Sequence, residues 1–204
     1  MTTIFCENFV RGSALNPIVF ELLTSLIVGG IALTLYLQRR DLRVQLYLAC
    51  ARRPTLFKIL SFTFVYLIFW LMTLPIHEFG HLVVLRWLGG DGYIKLMPHG
   101  AAVFPTAWPE SLNRIIAVAF MGGGSVFILY MILALRPGQD IDDKFALMTN
   151  AFAQGIYAFC EMLAFAGLDW LYDWLPLIST FGTILTFTFF AYIYTRKILE
   201  RWFK

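Results

Sequence analysis

Apolar runs about as long as a bilayer is thick recur along the 204 residues, and they constrain this chain more than anything else in it. A helix crossing the hydrocarbon core needs roughly 20 mostly apolar residues. Pro17 to Leu37, Ile59 to Leu88, Asn113 to Leu135, Phe145 to Leu168 and Leu175 to Tyr194 each meet that length. Only 14% of the residues are charged, and the mean hydropathy is +0.71. Soluble domains carry about 25% charged residues. The expected fold is therefore an all-α polytopic membrane protein with about five transmembrane helices, multi-pass in an integral membrane. Three regions follow: an N-terminal transmembrane helix and basic connector over 1–58, a core over 59–175, and a C-terminal transmembrane helix with a basic tail over 176–204.

The cationic residues lie beside the runs rather than within them. Arg39, Arg40, Arg43, Arg52, Arg53 and Lys58 crowd the connector at 38–58, and RKILERWFK ends the chain. Such residues suit lipid headgroups, so membrane lipids are expected partners and nucleic acid is not. RVQLYLACARR reads as a short interfacial helix, its arginines bracketing an apolar centre. Cys6, Cys50 and Cys160 are odd in number and far apart, with no disulfide framework and no CxxC metal pair. No cleavable signal peptide is expected, since the start lacks a basic region.

Between the second and third runs the composition changes. GGDGYIKLMPHGAAVFPTAWP is rich in Gly and Pro, and YIKLM and AAVF flank a PHG turn. This predicts a short membrane-associated β-hairpin. Unpaired strand edges cannot face lipid. The hairpin must lie at the surface, pack on the helices, or pair with something extended.

The second run carries HEFGH, with His77 and His81 four residues apart. On a helix these two imidazoles face the same way, one turn apart, and can share one tetrahedral Zn²⁺. Glu78 flanks the same face. It is placed to take a proton from an attacking water rather than to bind the metal. Ionisable groups inside a span cost on the order of 3 kcal/mol each and mark function. A cluster that merely joins helices is the plainer alternative. Pro75 is expected to bend the helix and free backbone carbonyls, with or without a catalytic consequence.

A catalytic zinc site has three protein ligands and one open position. His99, the third histidine, falls in the PHG turn and reads as a turn residue. Glu161, Asp169 and Asp173, in CEMLAFAGLDWLYDWLP, are the candidate acids. Asp173, beside Trp174 and Pro176, reads as the point where a helix leaves the bilayer.

Three stretches together resemble the site-2 protease family of intramembrane zinc metalloproteases. HEFGHLVVLRWLGG looks like that family's HExGH helix. GGGSVFILYMIL stands where it has a Gly-rich start to its next core helix. EMLAFAGLD resembles its segment ending in Leu-Asp-Gly. The likeness covers roughly residues 59–175. It implies an intramembrane endopeptidase core with His77, His81 and Asp169 as zinc ligands and Glu78 as general base. The hairpin would hold an extended transmembrane substrate, and a regulatory membrane partner is possible. The chain departs from the pattern at Glu161, where the family has Asn, at Trp170, where it has Gly, and in lacking its prolines. Glu161 is expected to bind substrate backbone or to hydrogen-bond a ligating histidine. Its alternative role is as third ligand in place of Asp169. A catalytically inactive membrane subunit with a structural zinc site is the competing function, and the absence of an internal repeat argues against a transporter. Charge counting puts the 38–58 connector and the tail on the cytoplasmic side, whereas the resemblance implies the opposite orientation.

Overall fold

The computed structural model describes residues 17–50, 52–97 and 100–202. In chain order these form α1 (Pro17–Ala49), α2 (Pro54–Trp87), β1 (Asp91–Met97), β2 (Gly100–Ala107), α3 (Leu112–Leu135), α4 (Ile141–Phe165) and α5 (Trp170–Trp202). The molecule is mostly helical, with one small antiparallel hairpin.

Three helices are long and apolar enough to cross a membrane, over Leu56–Trp87, Leu112–Leu135 and Trp170–Lys197. The expected span at Phe145 to Leu168 does not join them, and the one at Pro17 to Leu37 falls largely on residues 17–29, whose side chains lie outside the described residues. For α4 the reason is visible. Within the expected run it carries Thr149, Asn150, Gln154 and Glu161. The helix packs against α2, α3 and α5, so its composition is set by protein neighbours rather than by lipid. Asp142, Asp143, Thr149, Asn150 and Glu161 are all buried along it.

The stretch at 38–58 also differs from expectation. Most of it belongs to the end of α1 and the start of α2, which break only between Ala49 and Pro54. Its first part continues α1, and two of its arginines, Arg39 and Arg43, have acidic partners at the start of α4. Arg39 and Arg43 stand one helical turn apart, so they project from one face of α1. Arg39 Nε lies 3.2 Å from Asp143 Oδ2, and Arg43 Nη2 lies 3.0 Å from Asp140 Oδ2. Asp142 accepts hydrogen bonds from Ser61 of α2 and Tyr194 of α5, each at 2.6 Å. These contacts place the end of α1, the start of α2, the start of α4 and the end of α5 together. The connector and the tail thus share one end of the bundle.

Above that end lies an aromatic-rich core, with Phe62, Tyr66, Phe69, Val126, Tyr130, Phe145, Phe190 and Tyr194 buried together. Phe62 stacks on Tyr194 at 4.8 Å, and the Tyr130 hydroxyl donates to the Phe69 carbonyl at 2.7 Å. The core fixes α2, α3, α4 and α5 relative to one another.

The expected hairpin is present. Tyr93 pairs with Phe104 and Ile94 with Val103 in an antiparallel register. The register shifts between Asp91 and Gly92, where Pro105 lies opposite. Proline has no N–H to give to a ladder, so a bulge is where a strand tolerates it. The hairpin packs on α2. Arg86 ties it there by donating to Asp91 Oδ1 at 3.2 Å and to the Gly92 carbonyl at 3.0 Å. His99 lies outside the described residues, so its expected turn position is not described.

Candidate metal centre

His77, Glu78 and His81 come from the second half of α2, and all three are buried. The helix runs through Pro75 without ending. The four-residue spacing places the imidazoles against each other, with ring centroids 4.8 Å apart and Nε2 atoms 3.1 Å apart.

Each ring is oriented through its other nitrogen. His81 Nδ1 lies 2.7 Å from the Val118 carbonyl of α3. A carbonyl only accepts, so Nδ1 carries the proton and Nε2 presents a lone pair. His77 Nδ1 lies 3.0 Å from Gln154 Oε1 of α4 and is held in the same tautomer. Two lone pairs therefore face each other at 3.1 Å.

The third lone pair comes from α4. Glu161 Oε2 stands 3.5 Å from His81 Nε2 and 3.9 Å from His77 Nε2. It is fully buried and accepts no hydrogen bond. A buried carboxylate oxygen without a partner is strongly unfavourable. A cation between the three atoms removes both the lone-pair repulsion and the unpartnered charge. The dimensions agree: tetrahedral metal–ligand bonds of roughly 2.0–2.1 Å separate neighbouring ligand atoms by about 3.3 Å. His77, His81 and Glu161 are thus a buried group that could hold a metal ion.

Asp169, expected as the third ligand, is not in this group. It lies exposed in the turn between α4 and α5, and its carbonyl accepts from the Tyr172 N–H at 3.0 Å. The physical reason is where α4 stops. The helix ends at Phe165, and Gly167, at φ +114°, turns the chain away before Asp169 is reached. Glu161, expected to contact substrate or to act as the alternative ligand, stands with the two histidines instead. Asp173 is exposed in the first turn of α5.

Close helix approach makes the site possible. A Cβ on Gly122 of α3 would lie 2.1 Å from His81 Nε2 and 2.7 Å from His77 Nε2. Only glycine leaves that space empty. A Cβ on Gly80 would meet the Met121 carbonyl at 2.4 Å, and one on Gly123 would meet the Gln154 carbonyl at 2.4 Å. These two glycines bring α2 and α4 onto α3 from either side. Sequence reading singled out the GGG run only as part of a resemblance, and it missed Val118 and Gln154. The signal for Gln154 was present: it stands seven residues before Glu161, two turns along the same face.

Glu78 points towards the hairpin, its carboxyl facing the Val103 backbone N–H of β2. It is also close enough to Glu161 for the two charges to interact. The site thus sits between a metal-ligand cluster and a strand. Compared with protein-family models, curated proteins and solved structures, the chain finds no match.

Proposed function

We propose that this chain is an intramembrane zinc metalloprotease that hydrolyses peptide bonds of membrane-spanning substrates. One observation carries the reading: three unshared lone pairs, from His77, His81 and Glu161, converge at a buried point with Glu78 beside it. Two imidazoles and a carboxylate suit zinc. Bound there, zinc would lower the pKa of water towards about 7 and polarise a carbonyl.

The chain's own residues supply the rest. Val118 and Gln154 hold both histidines in the tautomer that ligates. Glu78 accepts a proton from the attacking water as its oxygen bonds to the peptide carbon. It passes that proton to the amine nitrogen as the C–N bond breaks, so water is consumed and a carboxylate and an amine leave. An extended substrate segment would pair with a hairpin edge, β2 being the strand that faces Glu78. A transmembrane helix must unwind first, because its carbonyls are already hydrogen-bonded.

The site-2 protease resemblance supports this reading through the HEFGH helix, the hairpin and the order of the segments. The ligand set is better described by the alternative in which Glu161 replaces Asp169. A structural zinc staple would bring four protein ligands. The described residues bring three.

The test compares the parent and Glu78→Gln chains, purified in detergent, against a panel of single-span peptides bearing fluorophore–quencher pairs. The expected result is cleavage by the parent, its loss in the variant and equal zinc content in both. Equal cleavage by the two chains rules this mechanism out.

A further inference from the structure

Within α4, Gln154, Tyr157 and Glu161 are spaced three and four residues apart and share one face. Gln154 orients one histidine and Glu161 completes the metal cluster. Tyr157, between them, packs its ring across His77, with centroids 5.4 Å apart and planes at 66°. Its phenol is in electrostatic contact with Glu161 and with Glu78. Tyr172, exposed at the start of α5, shows such contact with Glu161 but not with Glu78. Tyr157 therefore lies on the α4 face that carries Glu161, against His77 and near Glu78.

Three other donors near the cluster are committed. The imidazole N–H groups go to Gln154 and Val118. The Ser125 hydroxyl reaches the Gly122 and Ile76 carbonyls at 2.7 and 3.3 Å. The Tyr157 hydroxyl makes no hydrogen bond among the described residues. A half-buried phenol with no protein acceptor, set against His77, can donate to a group bound at the cluster.

We propose that Tyr157 is a catalytic residue whose phenol donates a hydrogen bond to the carbonyl oxygen of the scissile peptide as that oxygen becomes anionic. This rests on the hydrolase reading above. Donors aimed at developing charge contribute roughly 10²–10³-fold in rate where water is excluded. The phenol keeps its proton, and no bond to Tyr157 is made or broken.

The experiment uses the full chain in detergent micelles, loaded with cobalt(II), and the Tyr157→Phe variant, which keeps the ring on His77. Acetohydroxamate, whose anionic oxygen stands in for the charged carbonyl oxygen, is titrated against each and followed by visible absorption. The expected result is equal cobalt content, the same spectrum before titration, and acetohydroxamate binding at least tenfold weaker in the variant. Equal acetohydroxamate affinity overturns the role of Tyr157 and leaves the metal site standing. Loss of cobalt from the variant overturns it too, because the hydroxyl would then support the ligands instead. A parent chain that takes up no cobalt overturns the metal reading and this inference with it.

Discussion

The two ends of α4 each carry buried carboxylates, and the two sets are treated in opposite ways. Asp142 and Asp143 lie in the first turn, and Glu161 lies near the last, on the order of 28 Å away along the helix. At the first end every acid is compensated. Asp142 takes hydrogen bonds from Ser61 and Tyr194, and Asp143 takes them from Arg39 and Gln139. Asp143 Oδ1 accepts no hydrogen bond, but Arg43 stands 3.3 Å away. At the other end no arginine or lysine stands within ion-pair distance of Glu78 or Glu161 among the described residues. Buried acids paired with cations join helices, whereas buried acids aimed at two imidazole lone pairs imply a guest. Buried acids of one helix therefore read differently according to their neighbours.

Substitutions can break this comparison at either end. The largest effect is expected at the metal end, from Glu161→Gln. The amide keeps the shape but removes the charge, so zinc measured by mass spectrometry should fall from about one per chain to a small fraction, taking peptidase activity with it. Unchanged zinc would show that Glu161 is not a ligand. Glu78→Gln should leave zinc in place while activity drops by roughly 10²–10⁴-fold, the usual contribution of general acid–base catalysis. Gly122→Ala comes next. Its methyl would crowd both Nε2 atoms, and zinc affinity by competition with a chelator should weaken by about 10–100-fold, as for other changes that disturb ligand placement.

At the opposite end the effect should fall on stability alone. Arg39→Ala leaves Asp143 with less compensation and should cost on the order of 3 kcal/mol. It should lower the unfolding temperature in detergent without changing zinc content. A variant that lost zinc in its folded state would show that the two ends are coupled. The smallest effect is expected from Asp169→Asn, which should change neither zinc content nor unfolding temperature. Loss of zinc there would restore the ligand set that the resemblance implied.

Much of this was legible in the sequence because short-range rules suffice for it. HEFGH declares two histidines and an acid clustered on one helix through the helical repeat alone, and YIKLM and AAVF around PHG declare a hairpin. Which acid joins the histidines depends on a distance between helices, which no local spacing encodes. Asp169 matched a pattern by order, but where α4 ends decides which acid reaches the histidines. The expected span at Phe145 to Leu168 failed for a related reason. Apolar length reports contact with lipid, and α4 meets mostly protein. The arginines at 38–58 looked like an interfacial connector because their acidic partners lie about a hundred residues further on.

Gly122 has a consequence for which ion can be held. Its bare backbone forms one wall of the seat, close against both histidines. The wall acts as a gauge, admitting a small ion with short bonds and few ligands. Calcium takes six to eight oxygens at about 2.3–2.6 Å, and magnesium wants an octahedron with most of its waters kept. In the proposed site either shell would have to form against a helix backbone with two nitrogens already in place. In the proposed site the glycine would thus bear on size and coordination number, as the donors bear on affinity.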